Sequence, residues 1–351
     1  AITANPDGKS AVLFVKIPQK NIHLLDEVKI SHNGKKLTQS VSHQSDSTRS
    51  LFKTVKINVN LISGLNVFEV HPVSKNKIES RSSQIKIFTE KAQHETNCHI
   101  FAIGINNYAN ANMKLRYAKA DAQSFVQKFS ESSMSLFKNI YVHELYDGVA
   151  TRKNIMDSLE RLSRSVATHD VLVFYYAGHG SMVEDMFYLI PQDCQRLFAS
   201  DKLEYQGISA RELQDIFKKI KALKQLVILD ACQSGGSIST LALRGAGEEK
   251  AMAQLSRSAG VHIFASAGTE QSAKEIEQLK HGLFTYVLIR ALSGEADGSP
   301  HDQKVTVYEL KSYLDDQVPE LNKQYNGSVQ YPYTFSLGQD FPLTYTEEPK
   351  E

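Results

Sequence analysis

The chain has 351 residues, 41% of them apolar and 23% charged, with a formal net charge of +1. This is ordinary for a soluble globular protein of about two domains with a real core, and the net charge by itself points to no partner. No apolar run reaches the roughly 18 residues of a spanning helix. Three cysteines, Cys98, Cys194 and Cys232, fit neither a disulfide framework nor a metal-ligand spacing, so a reducing, cytoplasmic compartment is expected. The start at Ala1 rather than Met is compatible with a processed or trimmed product, which leaves secretion or an upstream domain open.

Residues 1–95 read as an all-β module. Short apolar runs at Ala11–Ile17, Glu27–Ser31, Leu51–Val59, Asn66–Val73 and Gln84–Phe88 are separated by turn signals. Asn33-Gly34 is the strongest of these, since a type I′ turn needs positive φ at both central residues. Lys53–Asn60 alternates apolar and polar with period two. The pattern predicts a small antiparallel, immunoglobulin-like sandwich without the Cys–Trp–Cys core of antibody domains, because the chain has no Trp. This module holds 14 Lys+Arg against 8 Asp+Glu, read as solvated strand faces.

After a polar linker over 91–97, residues 96–351 switch to strand–helix alternation. Strands are expected at His99–Ile105, Ile140–Leu145, Val171–Ala177, Met186–Ile190, Leu226–Asp230 and Val261–Ala265, with a last extended piece at Tyr331–Leu337. Helices are expected at Tyr117–Phe129, Ile155–Val166, from Ser209 and from Thr306, and at Gly282–Leu292. Ser209/Glu212 and Thr306/Glu309 have capping-box spacing. Ser237–Gly260, rich in small and charged residues, reads as a long exposed loop.

Two of these runs, Val171–Ala177 and Leu226–Asp230, are apolar throughout, as strands buried on both faces are. The first ends in Gly178-His179-Gly180 and the second in Ala231-Cys232-Gln-Ser-Gly-Gly236. Chemistry gathers at the carboxyl ends of strands in open α/β sheets. A free thiol titrates near pH ~8.5 and needs a nearby base to act as a thiolate at neutral pH, and an imidazole supplies one. His179 and Cys232 are therefore the candidate catalytic pair. Gly178 and Gly180 are expected to let the chain turn, so that the Gly180 N–H, with that of Cys232, forms an oxyanion hole.

Gly178-His-Gly180 and Asp230-Ala-Cys-Gln-Ser-Gly235, with Ala102-Ile-Gly-Ile-Asn-Asn-Tyr108, Ala120-Asp-Ala122 and His281-Gly-Leu-Phe-Thr285, resemble the caspase fold in its bacterial caspase-like and metacaspase branch. The resemblance covers roughly residues 97–343. It implies an α/β/α sandwich with a mostly parallel sheet, and a cysteine endopeptidase with Cys232 as nucleophile and His179 as its partner. Asp230 stands where animal caspases have Gln, and an extra Ser234 follows. In the metacaspase branch the aspartates matching Asp121 and Asp230 line the pocket for a basic P1 residue, which implies cleavage after Arg or Lys. Ser266 is a further pocket candidate.

Self-processing at Arg244, Lys250 or Arg257 is expected if the protease is basic-specific and that segment is a loop. His281 reads as a capping or packing residue, and Cys98 and Cys194 as core. No cofactor is required by the sequence; calcium is suggested by the resemblance, with only Glu184-Asp185 near the His179 segment to suggest a site. Protein or peptide substrates are expected, with an upstream sensor domain or partner reached through the sandwich. Neither a nucleic-acid surface nor a phosphate loop nor a zinc motif is found. The alternative function is a catalytically silent caspase-fold scaffold, and acyl transfer to a non-peptide acceptor is a lesser variant.

Overall fold

The structure, a computed structural model, describes residues 2–4, 9–37, 42–44, 52–76, 78, 81–90, 95–183, 186–195, 200–233, 241–266, 280–326 and 331–345. It divides into two compact units, Ala1–Glu95 with Ala167–His169, and Thr96–Val166 with Asp170–Glu351.

The first unit contains β1 (Ile2–Ala4), β2 (Ser10–Pro18), β3 (Leu25–His32), β4 (Lys35–Lys36), β5 (Ser42–Gln44), β6 (Phe52–Asn60), β7 (Gly64–Ser74) and β8 (Ser83–Thr89). They form two antiparallel sheets, ordered β1-β2-β6-β5 and β4-β3-β7-β8. The period-two pattern of Lys53–Asn60 buries Val55, Ile57 and Val59, which share one core with Leu13, Ile30, Phe68 and Val70 from both sheets. Asn33 and Gly34 have φ of 49° and 83° and join β3 to β4, pairing His32 with Lys35. This is the two-residue hairpin the sequence calls for.

The second unit contains β9 (Cys98–Gly104), α1 (Ala118–Ser133), β10 (Ile140–Tyr146), α2 (Arg152–Ser165), β11 (Val171–Val183), β12 (Met186–Leu189), α3 (Ser200–Gln206), β13 (Ile208–Ser209), α4 (Ala210–Lys219) and β14 (Lys224–Gln233). It continues with α5 (Leu241–Ala259), β15 (His262–Ala265), α6 (Leu283–Arg290), β16 (Lys304–Thr306), α7 (Val307–Asn326), β17 (Tyr333–Phe335) and β18 (Pro342–Tyr345). The main sheet runs β10-β9-β11-β14-β15-β17, parallel except for β17.

Alternation along the central strand β11 divides its side chains between two cores. Leu172, Phe174 and Tyr176 pack with Leu159 of α2, Phe217 of α4 and Leu255 of α5. Val171, Val173, Tyr175 and Ala177 pack with Phe125 of α1, Val287 of α6 and Leu314 of α7. The result is a three-layer α/β/α unit, with both faces of the sheet covered by helices. Both expected capping boxes form. The Ser209 hydroxyl accepts from the Glu212 N–H at 3.2 Å while Glu212 accepts from the Ser209 N–H at 3.0 Å. Thr306 and Glu309 do the same at the start of α7, at 3.3 and 2.9 Å.

Two expectations are corrected. The segment read as an exposed loop over 237–260 is helical from Leu241 to Ala259, while 237–240 lie outside the described residues. Its Ala, Leu, Glu and Lys favour helix, and Ala251, Met252, Leu255 and Ala259 bury a face at helical spacing.

Gly178 and Gly180, in turn, do not bend the chain. β11 continues through them to Val183 because β12 folds back antiparallel on it, setting Gly180 opposite Leu189. The glycines are needed for space. A Cβ on Gly178 would lie 2.6 Å from the Tyr108 hydroxyl and 2.7 Å from that of Tyr176, and one on Gly180 would lie 2.8 Å from the Phe187 ring.

Candidate active site

β11 and β14 are adjacent and parallel, and their register sets His179 opposite Cys232, with Ala177 opposite Asp230 and Gly180 opposite Gln233. Neighbouring strands lie about 4.8 Å apart, so the fold brings the two chemically competent positions together at the carboxyl ends of central strands.

His179 is held from several sides. Its backbone N–H donates to the Tyr108 hydroxyl at 2.7 Å, and its carbonyl accepts from the Tyr176 hydroxyl at 2.7 Å and the Ile190 N–H at 3.1 Å. The Tyr108 ring packs against the imidazole with centroids 4.9 Å apart. On the ring, Nε2 lies 2.8 Å from the Met113 carbonyl oxygen. A carbonyl only accepts, so Nε2 carries the proton and Nδ1 carries the lone pair. Nδ1 is buried and has no hydrogen-bond partner among the described residues. Burial lowers the pKa of His179 below the ordinary 6.5, and the Met113 carbonyl partly opposes this. The ring is thus a neutral base whose Nδ1 takes no partner among the described residues. Met113 and Tyr176 carry no sequence signal for this role. Tyr108 stands in a recognisable motif, but its bond to a residue 71 positions away is tertiary.

Asp121 in the first turn of α1 and Asp230 on β14 are both buried, at 3% and 6% exposure, and converge beside Gly282. A Cβ there would lie 3.2 Å from Asp121 Oδ2 and 3.3 Å from Asp230 Oδ2. Asp121 accepts from His281 Nδ1 at 2.6 Å and from the Gly282 N–H at 3.1 Å. Asp230 accepts from the Thr285 hydroxyl at 2.6 Å, and Thr285 Oγ1 is 2.6 Å from the Tyr175 hydroxyl. With the Thr285 proton directed to Asp230, the tyrosine donates to Thr285. Burial, then the nearby Asp121 charge, push the Asp230 carboxyl up to about 6, with Thr285 and Ser266 hydrogen bonds pulling the other way. Ser266 is buried at 5% and follows β15, where it joins this cluster.

Asp121, Asp230 and Ser266, predicted from the sequence, are therefore brought together. His281, read from the sequence as a capping or packing residue, lies against this cluster, its Nδ1 2.6 Å from Asp121 Oδ1.

The remaining candidates fall elsewhere. Arg244, Lys250 and Arg257 lie on α5, with Lys250 and Arg257 exposed. Cys98 and Cys194 are buried, and burial with the Asp170 charge pushes the Cys98 thiol well above its ordinary value, against thiolate formation. His99, next to Cys98, has its Nε2 3.6 Å from Asp170 Oδ2. Glu184 and Asp185 lie outside the described residues. Among the described residues no group of three or more His, Cys, Asp or Glu is placed to hold a metal ion, and no helix is long and apolar enough to cross a membrane.

The family model for the caspase domain matches residues 98–341. No match was found among curated proteins. Among solved structures, the chain is similar to a protein from Geobacter sulfurreducens, at 16% identity and TM-score 0.48, covering 72% of this chain and 100% of that one. It is also similar to the Drosophila initiator caspase Dronc, at 12% identity and TM-score 0.47, covering 72% of this chain and 85% of that one.

Proposed function

The chain belongs to the caspase-domain family of cysteine peptidases, and on that premise we propose that it is an active endopeptidase with a His179–Cys232 dyad, cleaving after Arg or Lys. The observation that carries the reading is the register pairing of His179 with Cys232, together with the buried Nδ1 of His179, which has no partner among the described residues. In the proposed reaction Nδ1 takes the thiol proton and the thiolate adds to the scissile carbonyl carbon. The protonated imidazole then gives its proton to the leaving amine as the C–N bond breaks. Water, deprotonated by the same nitrogen, hydrolyses the thioester and restores the thiol. The Met113 carbonyl supports this cycle by fixing the tautomer and by stabilising the imidazolium when it forms. The N–H groups of Gly180 and Cys232 are the proposed oxyanion donors.

The basic P1 preference rests on the convergence of Asp121 and Asp230. Two buried carboxylates are costly without positive charge close by, and an arginine fork offers several donors to both. Ser266 is proposed as part of the same pocket. We also propose that self-processing at Arg244, Lys250 or Arg257 requires local unwinding of α5, because peptidases bind substrate in extended form. The amino-terminal sandwich is proposed as a spacer or as a dock for a sensor or partner.

The test is turnover of fluorogenic peptides with Arg, Lys or Asp at P1, with and without calcium, by wild type and Cys232→Ala. Cleavage of Arg or Lys peptides that is lost in the mutant supports the whole reading. Cleavage only after Asp would overturn the pocket assignment, and a Cys232 unreactive toward electrophilic peptide probes would favour a scaffold.

A further inference from the structure

We infer that His281 is a positioning residue for the P1 pocket, fixing the Asp121 carboxylate so that it receives a cationic P1 side chain. This inference rests on the basic-P1 reading above and deepens it. Asp121 is almost fully buried, and a carboxylate in that setting either protonates or must accept hydrogen bonds that favour its charged form. It has two such donors from one short stretch: His281 Nδ1 at 2.6 Å on Oδ1 and the Gly282 N–H at 3.1 Å on Oδ2. With a donor on each oxygen, the carboxylate cannot rotate without breaking a bond.

The backbone is shaped to deliver these donors. Lys280, just before His281, has φ of 56°, in the left-handed region that a lysine rarely adopts. Gly282 follows, where a Cβ would press on Asp121 Oδ2 and Asp230 Oδ2. A strained residue, an imidazole and a glycine in succession thus wrap one carboxylate. The His281 side chain keeps 23% of its surface exposed, whereas that of Asp121 keeps 5%. His281 therefore links the buried charge to a more accessible position. Asp230 has its own donors in Thr285 and Ser266, so the direct contact of His281 is with Asp121.

The experiment compares wild type, His281→Ala, His281→Leu and His281→Asn, folded state checked by thermal melting, on peptides with Arg, Lys or a neutral residue at P1. Inhibition by free agmatine serves as a probe of the pocket without chemistry. Asn places an amide N–H close to where Nδ1 stands, while Leu keeps bulk without a donor. The expected result is a rise of roughly tenfold or more in KM for Arg peptides and in the agmatine inhibition constant for Ala and Leu, with a much smaller change in kcat. Asn should restore both to within about threefold of wild type.

If Ala fails to fold, the contrast of Leu with Asn decides the matter. Equal KM in Leu, Asn and wild type on Arg peptides would overturn the role of His281 and leave the basic pocket standing. Wild type that cuts neutral but not Arg peptides would instead remove the basic-P1 reading, and this inference with it.

Discussion

His179 and Cys232 are directly paired across neighbouring parallel strands, although 53 positions separate them in the chain. A parallel pair needs a crossover between its strands, here the one that includes β12, α3 and α4, so the two residues meet only if this crossover closes in one register. A shift of one residue in β14 would place Ala231 or Gln233 opposite His179 and move every side chain of the strand to the other face. The buried runs on both strands make such a slip costly.

Removal of either partner should abolish turnover. For Cys232→Ala and His179→Ala, kcat on the best peptide is expected to fall by about a thousandfold or more, with unchanged thermal melting for Cys232→Ala. Single-turnover assays on both variants check this. Retention of activity in Cys232→Ala would show that another nucleophile acts.

Gly178→Ala should damage both stability and catalysis. The new methyl would lie 2.6 Å from the Tyr108 hydroxyl and 2.7 Å from that of Tyr176, the groups bonded to the His179 N–H and carbonyl. Overpacking of this kind costs about 1–3 kcal/mol, and an unsatisfied buried N–H adds about as much. Denaturant melts should show the loss, and kcat should drop more than KM rises, since His179 is what moves.

Asp230 should make activity and stability oppose each other with pH. Its folded pKa of about 6 lies above the ordinary 3.8, so the native state holds a proton that the unfolded chain has released between those values. Stability from this group is therefore present at low pH and is lost as pH rises through about 6. Asp230→Asn should melt higher than wild type at pH ~7, by about 2 °C for each ~1 kcal/mol of relief, with the gain vanishing in acid. The same variant should lose roughly 30-fold or more in kcat/KM on Arg peptides, equivalent to ~2 kcal/mol for a severed buried charge contact. In wild type, hydrolysis of Arg peptides should decline as pH falls below about 6, where Asp230 takes up its proton.

Self-processing should be limited by the opening of α5. Mass spectrometry of active protein should reveal fragments ending at Arg244, Lys250 or Arg257, absent from Cys232→Ala protein. Mild denaturant that frays the helix should speed their appearance. Full activity from a chain that stays intact would dismiss any requirement for the cut.

Much of this organisation is written locally in the sequence. Runs such as Val171–Ala177 declare strands buried on both faces, Lys53–Asn60 declares one buried on a single face, and Ser209/Glu212 declares a helix start. Each depends only on neighbours along the chain, through periodicity, side-chain size or a bond spanning three residues. The same local signals made His179 and Cys232 stand out, because each closes an apolar run among glycines. Local composition misled over 241–259, where small and charged residues suggested a loop and only burial of Ala251, Met252, Leu255 and Ala259 shows the helix face.

What the sequence by itself determined is thus the order of the elements, the caspase-type motifs at two strand ends and the acidic residues Asp121 and Asp230 near them. The tertiary structure alone decided that Gly178 serves clearance rather than a turn, that Met113 fixes the His179 tautomer, and that His281 holds Asp121 across 160 positions. The physical reason is the range of the interactions. Turns, caps and apolar periodicity act between neighbours in the chain, whereas clearance and buried charge depend on which distant atoms the closed sheet and its helices press together.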